Sequence, residues 1–182
     1  MDGGAREVIA SYMTSYAGEQ VSGSDLTSRT SRLGSGKVRY TRIEFLGEDG
    51  TPCAMIRSGD ALTIRFHFHA ESTIRDPSFG FQMFSALGTL ITETSHRLNG
   101  IQIDRVGPGD GYIDLEIDSL NLIPGRYQLA LWITAPGGKP IYDGDVQASL
   151  EIDPTDVYKS GRLVDSKLGL VYFPQRWNVS KA

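Results

Sequence analysis

The sequence predicts an all-β fold: an antiparallel β-sandwich of immunoglobulin-like or jelly-roll type, preceded by a short N-terminal helix. Three observations point there. From residue 38 onward, segment after segment alternates apolar with polar residues, the period of a strand with one buried and one wet face. Turn signals separate these segments at short spacing: Asp49-Gly50, Ser58-Gly59-Asp60, Pro124-Gly125 and Pro136-Gly137-Gly138. No long helical pattern lies between the strands, which argues against a parallel α/β fold.

The N-terminal segment differs in period. Val8, Ile9, Tyr12, Met13 and Tyr16 recur at helical spacing, which predicts a helix over residues 4–17 with one apolar stripe. Residues 18–36 are rich in Gly, Ser and Thr and read as a flexible linker. The expected division is a helix and linker over 1–35 and a sandwich over 36–182.

Within the sandwich, Val38–Leu46 is the first expected strand, followed by a short one at Cys53–Arg57. In Leu62–His69, residues Leu62, Ile64, Phe66 and Phe68 share one face, and Thr63, Arg65, His67 and His69 the other. Phe79–Ser85 and Leu90–Thr94 follow, joined through Gly88. Residues 96–111 read as irregular. Tyr112–Ile117 then turns Ile113, Leu115 and Ile117 inward. Tyr127–Thr134 sets Tyr127, Leu129, Leu131 and Ile133 against Gln128, Ala130, Trp132 and Thr134, and Val146–Ile152 closes the pattern. The sum is about eight strands, the number a two-sheet sandwich uses. The tail, Lys167–Trp177, is apolar enough for a final strand and needs a sheet edge to dock on, its own or a partner's.

Composition narrows the function. Of 182 residues, 40% are apolar and 22% charged, ordinary values that exclude wholesale disorder. Lys and Arg number 18 against 22 Asp and Glu, a net charge of -4, so a nucleic-acid footprint is absent. The one cysteine, Cys53, rules out a disulfide framework within the chain and reads as a small core residue in a reducing compartment. The start lacks the basic and apolar regions of a signal peptide, and no apolar run reaches the ~20 residues of a membrane span. The expectation is a soluble cytosolic domain, or a piece of a larger protein.

The order of the pieces resembles a known family. Gly36-Lys-Val-Arg-Tyr-Thr-Arg-Ile-Glu-Phe-Leu46 precedes Asp49-Gly50, and Ser58-Gly-Asp-Ala-Leu-Thr-Ile64 follows. Then come Asp76-Pro-Ser-Phe-Gly-Phe-Gln82, Gly88, and Leu120-Asn-Leu-Ile-Pro-Gly-Arg-Tyr127. Together these resemble the C-terminal domain of the nucleotide-binding subunit of ABC transporters that export O-antigen polysaccharide, the Wzt C-terminal domain. The resemblance covers residues 5–177, and the Val8–Tyr12 helix is similar to the segment joining the ATPase domain to this one. It implies a non-catalytic domain that binds the non-reducing end of the polysaccharide, cytoplasmic at the inner face of the bacterial inner membrane. It implies as partners the ATPase domain, the transmembrane subunit and a second copy, with dimerisation by exchange of C-terminal strands. No cofactor is expected here. The chain has no G-x-x-x-x-G-K-[ST] loop, and Gly34-Ser-Gly-Lys37 lacks its spacing, so ATP would bind only in a domain preceding residue 4. The alternative is a structural domain that dimerises or docks the ATPase without touching sugar.

Sugars are held by aromatic faces and by planar polar side chains. With an immunoglobulin-like strand order, the strands at 79–85, 90–94 and 127–134 share a sheet. Gln82, Phe84, Gln128, Trp132 and Thr134 then face outward and form the expected saccharide site, with Thr92, His96, Arg97 and Tyr142 at its rim. The opposing expectation is that Trp132 and Phe84 lie beneath the helix, the tail or a second protomer. On the other sheet, Arg65, His67 and His69 lie beside Asp114, Glu116 and Asp118. His67 and His69 at i, i+2 suit a metal, but cross-strand charge pairing explains such a row more simply. Asp104, Asp110, Asp114 and Asp118 match no EF-hand spacing and read as turn and surface residues. No G-x-S-x-G elbow is present, and nothing singles out a carboxylate pair for glycoside cleavage.

Overall fold

The computed structural model describes residues 23–180. The expected helix over 4–17 lies outside them. Two four-stranded sheets pack face to face. The first has β1 (Gly23–Asp25), β2 (Val38–Leu46), β3 (Leu62–Ala70) and β8 (Gly109–Ile117), in that order. The second runs β10 (Ile141–Ile152), β9 (Gly125–Thr134), β5 (Ser78–Ser85) and β6 (Leu90–Ser95). A ribbon of β4 (Ile74–Arg75) and β7 (Arg105–Val106) stands apart. All these ladders are antiparallel.

The alternation read from the sequence sets the core. Leu62, Ile64, Phe66 and Phe68 of β3 are buried, as are Phe79, Phe81 and Met83 of β5 and Leu129, Leu131 and Ile133 of β9. Rings meet across the interface: Phe68 lies 5.1 Å from Phe79 and Phe66 lies 5.7 Å from Phe81, centroid to centroid. Each such side chain stabilises the fold by about 1.5–3 kcal/mol through burial alone.

One flank is sealed by residues expected to be linker. From Gly23 on, that stretch belongs to the sandwich. β1 pairs with β2, Leu26 is fully buried, and Leu33 bridges Gly144 on the edge of β10. Leu26 fills a gap between the two sheets, while Leu33, its side chain exposed, holds on through its backbone. Arg32 enters the same gap. Its Nε lies 3.8 Å from the Asp143 carboxylate, and its Nη2 donates to the Tyr40 carbonyl at 2.5 Å. Asp143 is 1% exposed and accepts the Tyr40 N–H at 2.8 Å. The Tyr40 hydroxyl in turn donates to the Trp132 carbonyl at 3.2 Å. Burial pushes the Asp143 carboxyl above its usual range and lowers Arg32, against the attraction between them.

Three further expectations are corrected. Cys53–Arg57 is not a strand. Pro52 offers no N–H, and Cys53 and Ile56 turn inward three residues apart, so only isolated bridges at Pro52 and Arg57 form. Cys53 itself is half-buried against the core, and burial pushes its thiol up. The stretch 96–111 is not wholly irregular: β7 lies within it and β8 begins at Gly109. Gly111 reads as a loop residue but lies under the Phe68 ring, where a Cβ would come within 2.6 Å of Cζ. The tail joins neither sheet. It follows the Leu120–Ile123 loop, with Ile123 N–H donating to Leu170 O at 3.0 Å and Tyr172 N–H to Asn121 O at 3.2 Å. Tyr172 plugs a small cluster with Ile123 and Val164, and Pro174 then removes the next donor a ladder would need.

Replacing Asp143 by Ala strands the Arg32 charge and the Tyr40 N–H, and is expected to cost about 3–5 kcal/mol in urea unfolding. The raised carboxyl also sets a pH dependence. Its contribution is complete below the unfolded value near 3.8 and is lost as pH rises through the folded value. Asp143→Asn removes that titration. The stability of the wild type relative to this variant is therefore expected to fall as pH is raised from about 4; a constant difference would contradict it.

Candidate functional site

The outer face of the second sheet is built in rows. Leu90, Phe84, Gln128 and Ser149 stand side by side across four strands, and Glu93, Gln82, Ala130 and Gln147 form the next row. Beyond them Trp132 of β9 is paired with Gly80 of β5. The indole lies over that glycine: a Cβ there would overlap Cζ2 and sit 2.7 Å from Cη2. Gly80 thus provides the floor on which a half-buried tryptophan rests. Trp132 and Phe84 are four residues apart along adjacent strands, about 13 Å at ~3.3 Å per residue.

A shallow cleft of about 290 Å3 opens beside the indole. Trp132, Glu93, Arg97 and Thr134 line it, and Gly137 and Gly138 of the following turn form its far wall. Gln82 Nε2 donates to Glu93 Oε2 at 2.8 Å, which orients both planar groups. Arg97 Nη2 donates to the Asp76 carbonyl at 3.0 Å and also to the Asp76 carboxylate. The guanidinium is thereby fixed at the cleft's end. The arrangement offers one aromatic surface and several planar donors and acceptors. Among the described residues Glu93 is the one carboxylate that lines the cleft.

The structure brings together Gln82, Phe84, Gln128 and Trp132 on one face, with Thr134 and Arg97 at the cleft. Three rim residues lie elsewhere. Thr92 is opposite Met83, whose side chain is in the core, so it is out of step with the outer row. A bulge at Ile91, where the register jumps to Phe84 and Leu90, causes the slip. Tyr142 packs against the core because β10 is bulged on either side of Asp143. His96 faces the seam between the sheets: its Nδ1 lies 2.8 Å from Ile101 O and its ring 6.2 Å from Phe79. Glu93 was missed because of the same bulge: from the closing Ser85–Thr89 bond an unbulged hairpin would set Thr92 against Gln82, and the bulge puts Glu93 there instead.

Among the described residues nothing seals the opposite flank. There β6 and β8, the edge strands of the two sheets, leave a cleft of about 150 Å3, lined by Phe66, Phe79, Phe81, Ile113 and Leu115 under Asn99. This explains why the inward residues of β8 are only half-buried.

The first sheet's outer face is a ladder of charge pairs. Arg65 makes two bonds of 2.8 Å to Asp114, His67 Nε2 lies 2.6 Å from Glu44, and His69 Nδ1 lies 2.7 Å from Asp110. The histidines thus face separate carboxylates, not a shared ion. Among the described residues no group of three or more metal-ligating side chains converges. Glu116 is opposite Thr63, and Asp118 lies beyond the strand.

By its two packed antiparallel sheets and their strand order the chain is a β-sandwich domain. Residues 29–155 match the family model of the Wzt C-terminal domain, and the chain belongs to that family. Among solved structures it is similar to the crystal structure of the C-terminal domain of wzt, with a TM-score of 0.68 at 12% identity, over 84% of this chain and 90% of that one. It is 26% identical over 104 residues to the O-antigen export system ATP-binding protein RfbB of Myxococcus xanthus. That match takes in 57% of this chain and 24% of the relative, so the chain spans about a quarter of that protein.

The seating of Trp132 on Gly80 is testable by emission. With Trp177→Phe as background, Gly80→Ala presses on both the indole and the Thr94 carbonyl of β6, and is expected to lift the indole from the sheet, shift its fluorescence to the red and lower stability. An unshifted spectrum would mean that the ring does not rest on that glycine.

Proposed function

We propose that this domain binds the polysaccharide of an O-antigen export system and performs no chemistry on it. The outer face of the second sheet is the recognition surface, and Trp132 carries the reading. An indole braced against a glycine and half-buried loses little freedom on binding, and its exposed part can stack on the C–H surface of a sugar ring. Gln82, Glu93, Gln128 and Arg97 supply hydroxyl partners, and Phe84 extends the surface along the polymer. The family membership supports a role in a transporter, and the name of the RfbB relative supports O-antigen as the cargo. On this reading the domain works at the cytoplasmic face of the inner membrane, beside an ATPase domain and a transmembrane subunit, and grips the non-reducing end of the chain. ATP belongs to the ATPase domain and not to this one.

A docking or dimerisation role has its own supporting observation. Leu168, Phe173 and Trp177 of the tail are at least 72% exposed. Such residues fit a second copy that takes up the tail in exchange.

Calorimetric titration with delipidated O-antigen polysaccharide tests the first role, and Trp132 emission in the Trp177→Phe background reports the same binding where the indole is kept. Trp132→Ala is expected to weaken binding at least about tenfold, or ~1.4 kcal/mol, and Phe84→Ala by a smaller factor. Binding that survives both substitutions would remove this face from the reading. Light scattering tests the second role. Phe173→Asp together with Trp177→Asp is expected to turn a dimer into a monomer, and a dimer that persists rules out the tail.

A further inference from the structure

The outer face of the first sheet carries a second aromatic platform. Tyr112 of β8 points outward by the same alternation that turns Ile113 inward, and 57% of it is exposed. It stands in the ladder opposite His67, which is opposite Arg42. The polar groups around it are held in place. The Arg65 guanidinium stacks on the phenol ring 4.2 Å from its centroid, and Asp114 grips that guanidinium with two bonds of 2.8 Å. The His67 ring lies 6.0 Å from the Tyr112 ring, and Glu44, which faces His67, also pairs with Arg42 at 2.7 Å.

The chemistry of this surface is specific. Around the ring Arg65 is balanced by Asp114 and Arg42 by Glu44, so the charges nearest it offset and give a polyanion little to follow. What remains is direction. A guanidinium has five N–H donors and Asp114 takes two of them, while each carboxylate has about four lone-pair sites. Arg65 lies over the tyrosine ring and His67 beside it, and more than half of the residue stays exposed. An aromatic surface flanked by fixed planar donors and acceptors, without net charge, matches a neutral, hydroxyl-rich ring. It matches neither a phosphate nor an apolar helix.

We propose that this face is a second saccharide platform, centred on Tyr112, with Arg65, Asp114 and His67 as hydroxyl partners. It takes neutral sugar residues of the same polymer as the Trp132 face, and so rests on the reading that the domain binds polysaccharide. The two platforms lie on opposite sides of the sandwich, with sheets about 10 Å apart between them. One domain can therefore hold two separate stretches of chain, and linked weak sites gain avidity.

Amide chemical-shift mapping of the 182-residue chain, titrated with delipidated O-antigen polysaccharide of the bacterium that encodes it, tests the proposal. Saturable shifts are expected at Arg65, His67, Tyr112 and Asp114 as well as around Trp132. Tyr112→Ala is expected to abolish the first set, or weaken it about tenfold or more, and to leave the second unchanged. Tyr112→Phe keeps the ring and is expected to retain both. Shifts confined to the Trp132 face would overturn this inference and leave the proposed function standing. Shifts confined to the Tyr112 face would support it and move recognition to this sheet. Silence on both faces would overturn both. The wild-type map decides even if Tyr112→Ala does not fold.

Discussion

The Asp143 carboxylate is the constraint on which the rest of the structure leans. It is buried where the two sheets converge, in β10 of one sheet, and it accepts an N–H from β2 of the other. Arg32 reaches it from the segment between β1 and β2. Burial works against both charges, as the upward push on Asp143 and the downward push on Arg32 show. Such a pair contributes less to stability than to uniqueness, because few other packings would satisfy it. Here it fixes three things together: the spacing of the sheets, the course of residues 26–36, and through the Tyr40 hydroxyl the backbone beneath Trp132.

That chain of contacts joins the core to the candidate site. Trp132 presents its ring because its backbone is tied to Tyr40 from within and because Gly80 leaves space for the indole from without. The outer face is therefore an extension of core packing and not a loop assembly. Strands hold side chains more rigidly than loops do, which suits the proposed role of meeting a repeating polymer.

Much of this was legible in the sequence. Val38–Leu46 ends where alternation and the Asp49-Gly50 turn place its end, and the pairing of 62–69 with 112–117 is the one an immunoglobulin-like strand order gives. Trp132 and Phe84 share a face by that order together with the alternation. What was not legible depends on contacts distant in sequence. Gly, Ser and Thr around Leu26 and Arg32 resemble a linker until Asp143, over a hundred residues on, gives them a partner. Gly111 resembles a loop until Phe68 covers it. Tyr142 and Thr92 were misplaced because bulges shift the alternation by one residue, and a bulge has no reliable mark in composition. The tail has strand composition, but its hydrogen bonds go to a loop.

The strap over residues 23–36 has a mechanical meaning. A free run of that composition would wander over roughly 20 Å and absorb any tug delivered along it. Bound as it is, through the β1 ladder, Leu26, Arg32 and Leu33, it has no slack. A pull applied at Gly23 would meet the β1 ladder and the Asp143 latch at once, and would turn the sandwich as one body, with the outer face of the second sheet carried along.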